Sequence, residues 1–195
     1  YYLVSGTDNK IIVCDAEKPV ETHDIIVNKK AINGKDEVSG ATLTITGSFD
    51  ADDITFTGTG FTAKNTAADV KAAGDYFVGD GTIEWISNGN EATISGLTSG
   101  TYTLKESGTD GLIVNGDKTY TVIETELTFT LDAEGNVTAT GDTVKKTADA
   151  TATDGYYLVS GTDNKIIVCD AEATSTVDIN IQTVSYTHLT LPTTS

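Results

Sequence analysis

Short stretches in which apolar and polar residues alternate recur along most of the chain. Clear examples are ATLTIT (41–46), TIEWIS (82–87), TYTLKE (101–106) and TYTVIE (119–124). Because successive side chains of a strand point to opposite faces, these stretches predict half-buried β-strands. Turn signals separate most of them, and helical periodicity is almost absent. The pattern therefore predicts an all-β fold, a β-sandwich or a Greek-key barrel.

The stretch from about 48 to 80 interrupts this alternation. It contains DADD (50–53), several glycines and TAADVKAAG (66–74). The alanines of the last motif permit a helical turn or two before Gly74. We expect one irregular insertion here.

An exact repeat defines the organisation of the chain. YYLVSGTDNKIIVCDAE occurs at 1–17 and again, letter for letter, at 156–172. Repetition at a long period indicates tandem units. We therefore expect a C-terminal hairpin of a preceding repeat (1–17), a linker (18–22), one β-sandwich domain (23–172) and the start of a following repeat (173–183).

The C-terminal residues are set apart from this scheme. VSYTHLTLPTT, from Val184 to Thr194, resembles the translation of a sequencing adapter. We therefore expect 184–195 to be an adapter-derived tail and exclude it from the fold. LPTTS at its end is similar to a sortase LPxTG signal, but Ser195 replaces the glycine.

Composition narrows the possible partners. The chain has 29 acidic residues against 12 basic ones, all of them lysines, and a net charge of −17. Phosphate contacts need a cationic face, so we expect no nucleic acid partner and no membrane contact. The 35 threonines and two prolines are typical of a β-rich extracellular protein. The chain has no Met, and we interpret it as a fragment.

Conventional enzyme sites are weakly supported. A Ser–His–Asp triad would need His23, and the GTG at 58–60 lacks the lysine of a phosphate-binding loop. The DADD motif could hold Ca²⁺, but it lacks the EF-hand spacing. Cys14 and Cys169 are one repeat position seen twice, so we expect neither a disulfide nor a cysteine metal site. We expect no enzyme, no cofactor and no metal.

One set of ionisable residues stands apart. Alternation places Lys29 on the apolar face of its strand, and likewise Glu106 and Asp170 on theirs. Three such groups aimed at one interior are costly unless they meet. They could form a reactive cluster, a buried salt-bridge cluster, or three residues near strand ends.

The sequence resembles the B-type domain of collagen adhesins and SpaA-like pilins, a module of Gram-positive surface proteins. Several motifs between 23 and 172 carry the resemblance: IIVNKK, SGATLTI, WISNG, ISGLTSGTYTLKE, LTFTLDAEGNVT and NKIIVCDAE. The insertion at 48–80 and the absence of a proline in SGTDG depart from the family pattern. The resemblance implies an Ig-like, prealbumin-like β-sandwich.

The family also implies a chemistry for the three ionisable residues. In it, a lysine of the first strand forms a spontaneous amide bond with an Asn or Asp of the last strand, promoted by an acidic residue. Lys29, Asp170 and Glu106 fall on these positions, with Glu106 as the proton shuttle. Burial favours the neutral, reactive forms of an amine and a carboxyl group.

The resemblance implies a structural stalk or adhesin repeat on a bacterial cell surface or cell wall, with neighbouring repeats of the same chain as partners. The alternative is a ligand-binding adhesin that holds a host protein or glycan through 48–80. An exposed aromatic patch around Phe56, Phe61, Tyr76 and Phe77 would favour that alternative. Burial of these rings would favour the stalk.

Overall fold

A computed structural model of the protein describes residues 2–16 and 19–174. The described residues form seventeen strands and two single 3₁₀ turns, at Ala51–Asp53 and Ala67–Asp69. The tail at 184–195, and the start of the following repeat from residue 175 onward, lie outside the described residues. Within the described ranges, no helix is long and apolar enough to cross a membrane.

The strands, in chain order, are β1 (Tyr2–Ser5), β2 (Lys10–Val13), β3 (Thr22–Ala31), β4 (Ser39–Thr46), β5 (Thr55–Thr57), β6 (Thr62–Ala63), β7 (Asp75–Gly79), β8 (Thr82–Asn88), β9 (Ala92–Thr98), β10 (Gly100–Ser107), β11 (Leu112–Asn115), β12 (Lys118–Thr121), β13 (Leu127–Leu131), β14 (Val137–Ala139), β15 (Val144–Lys145), β16 (Tyr156–Ser160) and β17 (Lys165–Asp170).

Two large sheets enclose the core. One has the strand order β14-β13-β10-β4-β8-β7-β6, and the other β15-β16-β17-β3-β9-β5. Apolar side chains from both sheets form one buried cluster, which includes Ile25, Leu43, Trp85, Ile94, Leu104, Phe129 and Val168. The predicted all-β, sandwich-like fold is confirmed.

The alternating sequence explains which face of each strand is buried. In β4, Ala41, Leu43 and Ile45 are buried, whereas the threonines between them are less so. In β13, Leu127 and Phe129 likewise point into the core while threonines face outward. Threonine suits the solvent side of a sheet because its branched side chain fits a pleated surface.

The first and last strands of the domain are neighbours in the centre of the six-stranded sheet. β17 runs parallel to β3, with Val168 opposite Lys29 and Asp170 opposite Ala31. On its other side, β17 pairs with β16 as an antiparallel hairpin. The two ends of the domain are thereby brought together.

The stretch 48–80 is more regular than expected. β5 pairs with β9, and β7 pairs with β8, so this stretch extends an edge of each large sheet. The Ala-rich motif forms only the 3₁₀ turn at Ala67–Asp69, because Val70 returns to an extended conformation. Strands as short as β5 and β6 produce too little alternation to be recognised in a sequence.

Two hairpins lie outside the large sheets. β11 and β12 form one of them, which covers a second buried cluster that includes Ala31, Val38 and Tyr120. The sequence predicted a strand at 119–124, but β12 ends at Thr121. β1 and β2 pair with each other as a separate two-stranded sheet.

Candidate functional site

The side chains of Lys29, Glu106 and Asp170 meet inside the sandwich. Lys29 Nζ lies 2.6 Å from Asp170 Oδ2 and 3.3 Å from Glu106 Oε1. All three side chains are almost fully buried, with exposed fractions of 0 or 1%. The structure thus brings together the three residues singled out in the sequence.

Strand alternation positions each of these side chains. Lys29 follows Ile25 and Val27 on the buried face of β3. Glu106 continues the inward series of β10, and Asp170 ends the inward series of β17. The cluster joins both sheets, since β10 belongs to one and β3 and β17 to the other.

Hydrogen bonds hold the side chains of Lys29 and Glu106 in place. Lys29 Nζ donates to the carbonyl oxygen of Val168 at 3.3 Å. The backbone N–H of Ile123 donates to Glu106 Oε2 at 3.0 Å, which leaves Oε1 directed at Lys29. Glu106 is therefore fixed by the chain that follows β12.

The backbone around Asp170 is held on two sides. Ile32 N–H donates to the carbonyl oxygen of Asp170 at 2.8 Å. Directly after Asp170, the N–H of Thr121 donates to the carbonyl oxygen of Ala171 at 3.0 Å. These bonds tie the end of β17 to both β3 and β12, so the Asp170 carboxyl has little freedom to move away from Lys29.

Burial raises the pKa of Asp170 to about 8. The ammonium of Lys29 opposes this rise, and the negative charge of Glu106 adds to it. Desolvation disfavours a carboxylate, and a second carboxylate nearby disfavours it further. The shift favours the protonated form of the Asp170 carboxyl.

Two weakly acidic side chains, those of Tyr157 and Cys169, lie near the site. Burial raises the pKa of the Tyr157 phenol, and the nearby charges of Glu106 and Asp170 add to this. The Tyr157 hydroxyl donates to the carbonyl oxygen of Thr125 at 2.9 Å. Burial also raises the pKa of the Cys169 thiol to about 11, so this thiol stays protonated. Sequence reasoning missed Tyr157 and the Ile123 amide, since neither carries a recognisable motif.

The other candidates from the sequence do not assemble a site. The DADD motif contributes to the first 3₁₀ turn, where Asp80 Oδ1 accepts the N–H of Ala51 at 2.9 Å. Gly60, in the GTG motif, has a φ of +75° that suits a turn. Among the described residues, no group of three or more His, Cys, Asp or Glu could hold a metal ion. Cys14 and Cys169 are thiols and not a disulfide.

Three of the four aromatic residues of the predicted patch, Phe56, Phe61 and Tyr76, pack together, whereas Phe77 is half-buried on the opposite face of β7. Phe56 is buried and stacks on Tyr76, with ring centroids 4.3 Å apart. Phe61 meets Phe56 edge-on at 5.2 Å, and Trp85 lies on another side of Phe56 at 5.6 Å. These rings form part of the core at the edge of the sandwich.

The chain was compared with protein families, curated proteins and solved structures. No protein-family model matches the chain, and no curated protein matches it. Among solved structures, the chain is similar to the pilus adhesin RrgA from Streptococcus pneumoniae, with 16% sequence identity and a TM-score of 0.35. The match covers 79% of this chain but only 15% of that adhesin. A likeness at this level concerns the fold alone.

Proposed function

We propose that this protein is a structural stalk or adhesin repeat of a bacterial surface protein, in which Lys29 and Asp170 form an amide bond without an enzyme. One observation carries the proposal: the buried Lys29 Nζ lies 2.6 Å from the Asp170 carboxylate, with Glu106 at 3.3 Å. An ion pair this deeply buried is a poor source of stability by itself, because desolvation offsets the attraction. The same geometry is well suited to a condensation reaction.

The reaction balances within the three residues. The neutral amine of Lys29 attacks Cγ of the protonated Asp170 carboxyl, so a C–N bond forms and a C–O bond breaks. Glu106 takes a proton from Nζ and delivers it to the departing hydroxyl, which leaves as water. Glu106 ends in its starting state, and each domain reacts once.

Positioning provides most of the acceleration. Reacting groups held in contact have effective molarities far above those reached in solution. Lys29 is held by Val168 and Glu106 by Ile123, so both are oriented before any reaction. Water is excluded from this site, which strengthens the electrostatic interactions among the three groups.

The position of the bond suits a protein under tension. Force that enters at the start of β3 would run along that strand to Lys29. It would then cross the amide to Asp170 and leave the domain, bypassing residues 30–169. A surface location is supported by the Thr-rich, Lys-only composition and by the family resemblance of the motifs. The buried packing of Phe56 and its neighbours favours the stalk over the ligand-binding alternative.

Intact-mass spectrometry tests the bond. The folded chain should be lighter than its sequence mass by one water, and Lys29→Met should restore the full mass. Lys30→Met is the matched control, because Lys30 lies one position away and pairs at the surface with Glu37. Full mass in folded wild-type protein would refute the amide bond.

The role of Glu106 has its own test. Glu106→Gln keeps the volume of the side chain and an oxygen to accept the Ile123 N–H, but it removes the proton acceptor. We expect a folded protein that forms the bond at least 10²-fold more slowly, as is typical when a general acid–base group is lost. Formation at the wild-type rate would show that Glu106 has no part in proton transfer.

A further inference from the structure

The two copies of the repeated hairpin have identical sequences but opposite environments. In β16–β17, Val159 and Ile166 are buried in the sandwich core. In β1–β2, the equivalent residues Val4 and Ile11 are 74% and 67% exposed. Among the large apolar residues, the pairs with this contrast are Tyr2 and Tyr157, Val4 and Val159, Ile11 and Ile166, and Val13 and Val168. The exposed hairpin thus carries an apolar face with a known complementary surface.

That surface is the position beside β3 in the six-stranded sheet that β16–β17 occupies, which we call the slot. It offers the pairing edge of β3 on one side and the core of the sandwich below. Because residues 1–17 repeat residues 156–172 exactly, every side chain of the slot's occupant has a counterpart in the first hairpin. Asp15 corresponds to Asp170, so it would reach Lys29 in the same way.

The hairpin cannot enter the slot of its own domain while β3 stays intact. In the slot, Asp15 would lie opposite Ala31, as Asp170 does. The seven residue steps from Asp15 to Thr22 span at most about 25 Å when fully extended. The strand from Ala31 back to Thr22 covers nine steps, or about 30 Å. The slot of another molecule has no such restriction.

We propose that the repeated hairpin is exchangeable between copies of this chain, so that the β1–β2 hairpin of one copy can bind to a second copy. It would occupy the second copy's slot parallel to β3, in place of that copy's own β16–β17 hairpin. Head-to-tail repetition of this contact builds open oligomers. In wild-type protein the resident hairpin has the advantage, because a tethered segment acts at an effective concentration in the millimolar range.

The variant Asp170→Ala reverses this advantage. When the chain's own β16–β17 hairpin occupies the slot, buried Lys29 lacks the carboxylate that lies 2.6 Å away in the wild type. When the β1–β2 hairpin of another copy occupies the slot, Asp15 restores a carboxylate beside Lys29. Removing one partner of a buried ion pair shifts an equilibrium by about 10²- to 10³-fold. After refolding at about 0.1–1 mM, we expect oligomers by size-exclusion chromatography with light scattering. The double variant D15A/D170A should stay monomeric, because neither hairpin then offers a carboxylate.

Formation of an amide bond between the docked hairpin and Lys29 rests on the proposed function. Treating the oligomers with SDS separates docking from bond formation. Oligomers that survive SDS support both proposals, since Lys29 has then joined Asp15 of another copy. Oligomers that dissociate in SDS support the docking and count against the amide. Monomeric D170A, or equal oligomerisation of D15A/D170A, would overturn the docking.

A peptide experiment covers the case in which D170A fails to fold. Adding a peptide of residues 1–17 to D170A should restore the fluorescence of buried Trp85, whereas the same peptide with D15A should not. An equal response to both peptides, or none to either, would overturn the proposal.

Discussion

Loss of the Lys29–Asp170 bond should lower the thermal stability of the domain by a predictable amount. Glu106→Gln is the most informative perturbation, because it removes the proton shuttle while both bonding residues remain. Without the negative charge of Glu106, which raises the pKa of Asp170, the Asp170 carboxyl ionises more readily. The variant should therefore hold Lys29 and Asp170 as an ordinary buried ion pair.

The magnitude follows from the length of the closed loop. A link between Lys29 and Asp170 encloses about 140 residues, and the chain-entropy relation for cross-links then gives about 5 kcal/mol of stabilisation. For a domain of this size, each kcal/mol shifts the melting temperature by about 2–4 °C. Glu106→Gln should therefore melt about 10–20 °C below the wild type.

Trp85 provides the assay, since it is the only tryptophan of the chain and is buried in the sandwich core. Its fluorescence, followed during heating, reports unfolding of that core. Lys29→Met with and without Glu106→Gln is the control pair. No bond can form in either variant, so their difference measures the effect of the Glu106 charge in the absence of Lys29. If Glu106→Gln lacks the bond by mass but melts within about 3 °C of the wild type, the loop-closure reasoning is wrong.

Three further predictions concern the same elements. At low micromolar concentration, mass spectrometry should find the full sequence mass for Asp170→Ala, whereas Asp15→Ala should still be lighter by one water. A full mass for Asp15→Ala and a lighter Asp170→Ala would assign the bond to the first hairpin. In Lys29→Met, the pKa of Asp170 is raised in the folded state, so the free energy of unfolding should be highest at low pH. It should fall by up to about 1.4 kcal/mol per pH unit between about pH 5 and 8, as measured by urea titration. A free energy of unfolding that does not change with pH would contradict the raised pKa. Phe56→Ala should cost about 3–5 kcal/mol in the same titrations, because the ring is buried against Tyr76; unchanged stability would instead favour a ligand-contacting role.

Alternation alone predicted which faces of the main strands are buried. Lys29 and Asp170 could be assigned to the interior because apolar residues stand two and four positions before each of them. Glu106 could be assigned in the same way, from Tyr102 and Leu104. Alternation does not give pairing, and the proximity of Lys29 and Asp170 was expected only from the family resemblance.

The parts that could not be predicted depend on contacts distant in sequence. β5 is a strand because it pairs with the distant β9, and its Phe56 stacks on Tyr76 at the edge of the sandwich. The Ile123 N–H meets Glu106 only because the chain after β12 folds over the end of β10. Asn28 is on the face opposite Lys29, yet it is 2% exposed. The segment between β3 and β4 folds back on it, and Glu37 accepts a hydrogen bond from its amide. Local alternation contains no information about such covering segments.

Identical repeats create a problem that the amide bond would solve. Two hairpins of the same sequence can exchange between slots at no cost in contacts, and misassembly of this kind is characteristic of repeat proteins. The short connection between Asp15 and Thr22 prevents exchange within one domain but not between molecules. A bond between Lys29 and Asp170 would make the correct occupant permanent as soon as a domain folds. On this reasoning the bond serves fidelity of assembly as well as strength, and exchange between wild-type chains should be confined to the interval before the bond forms.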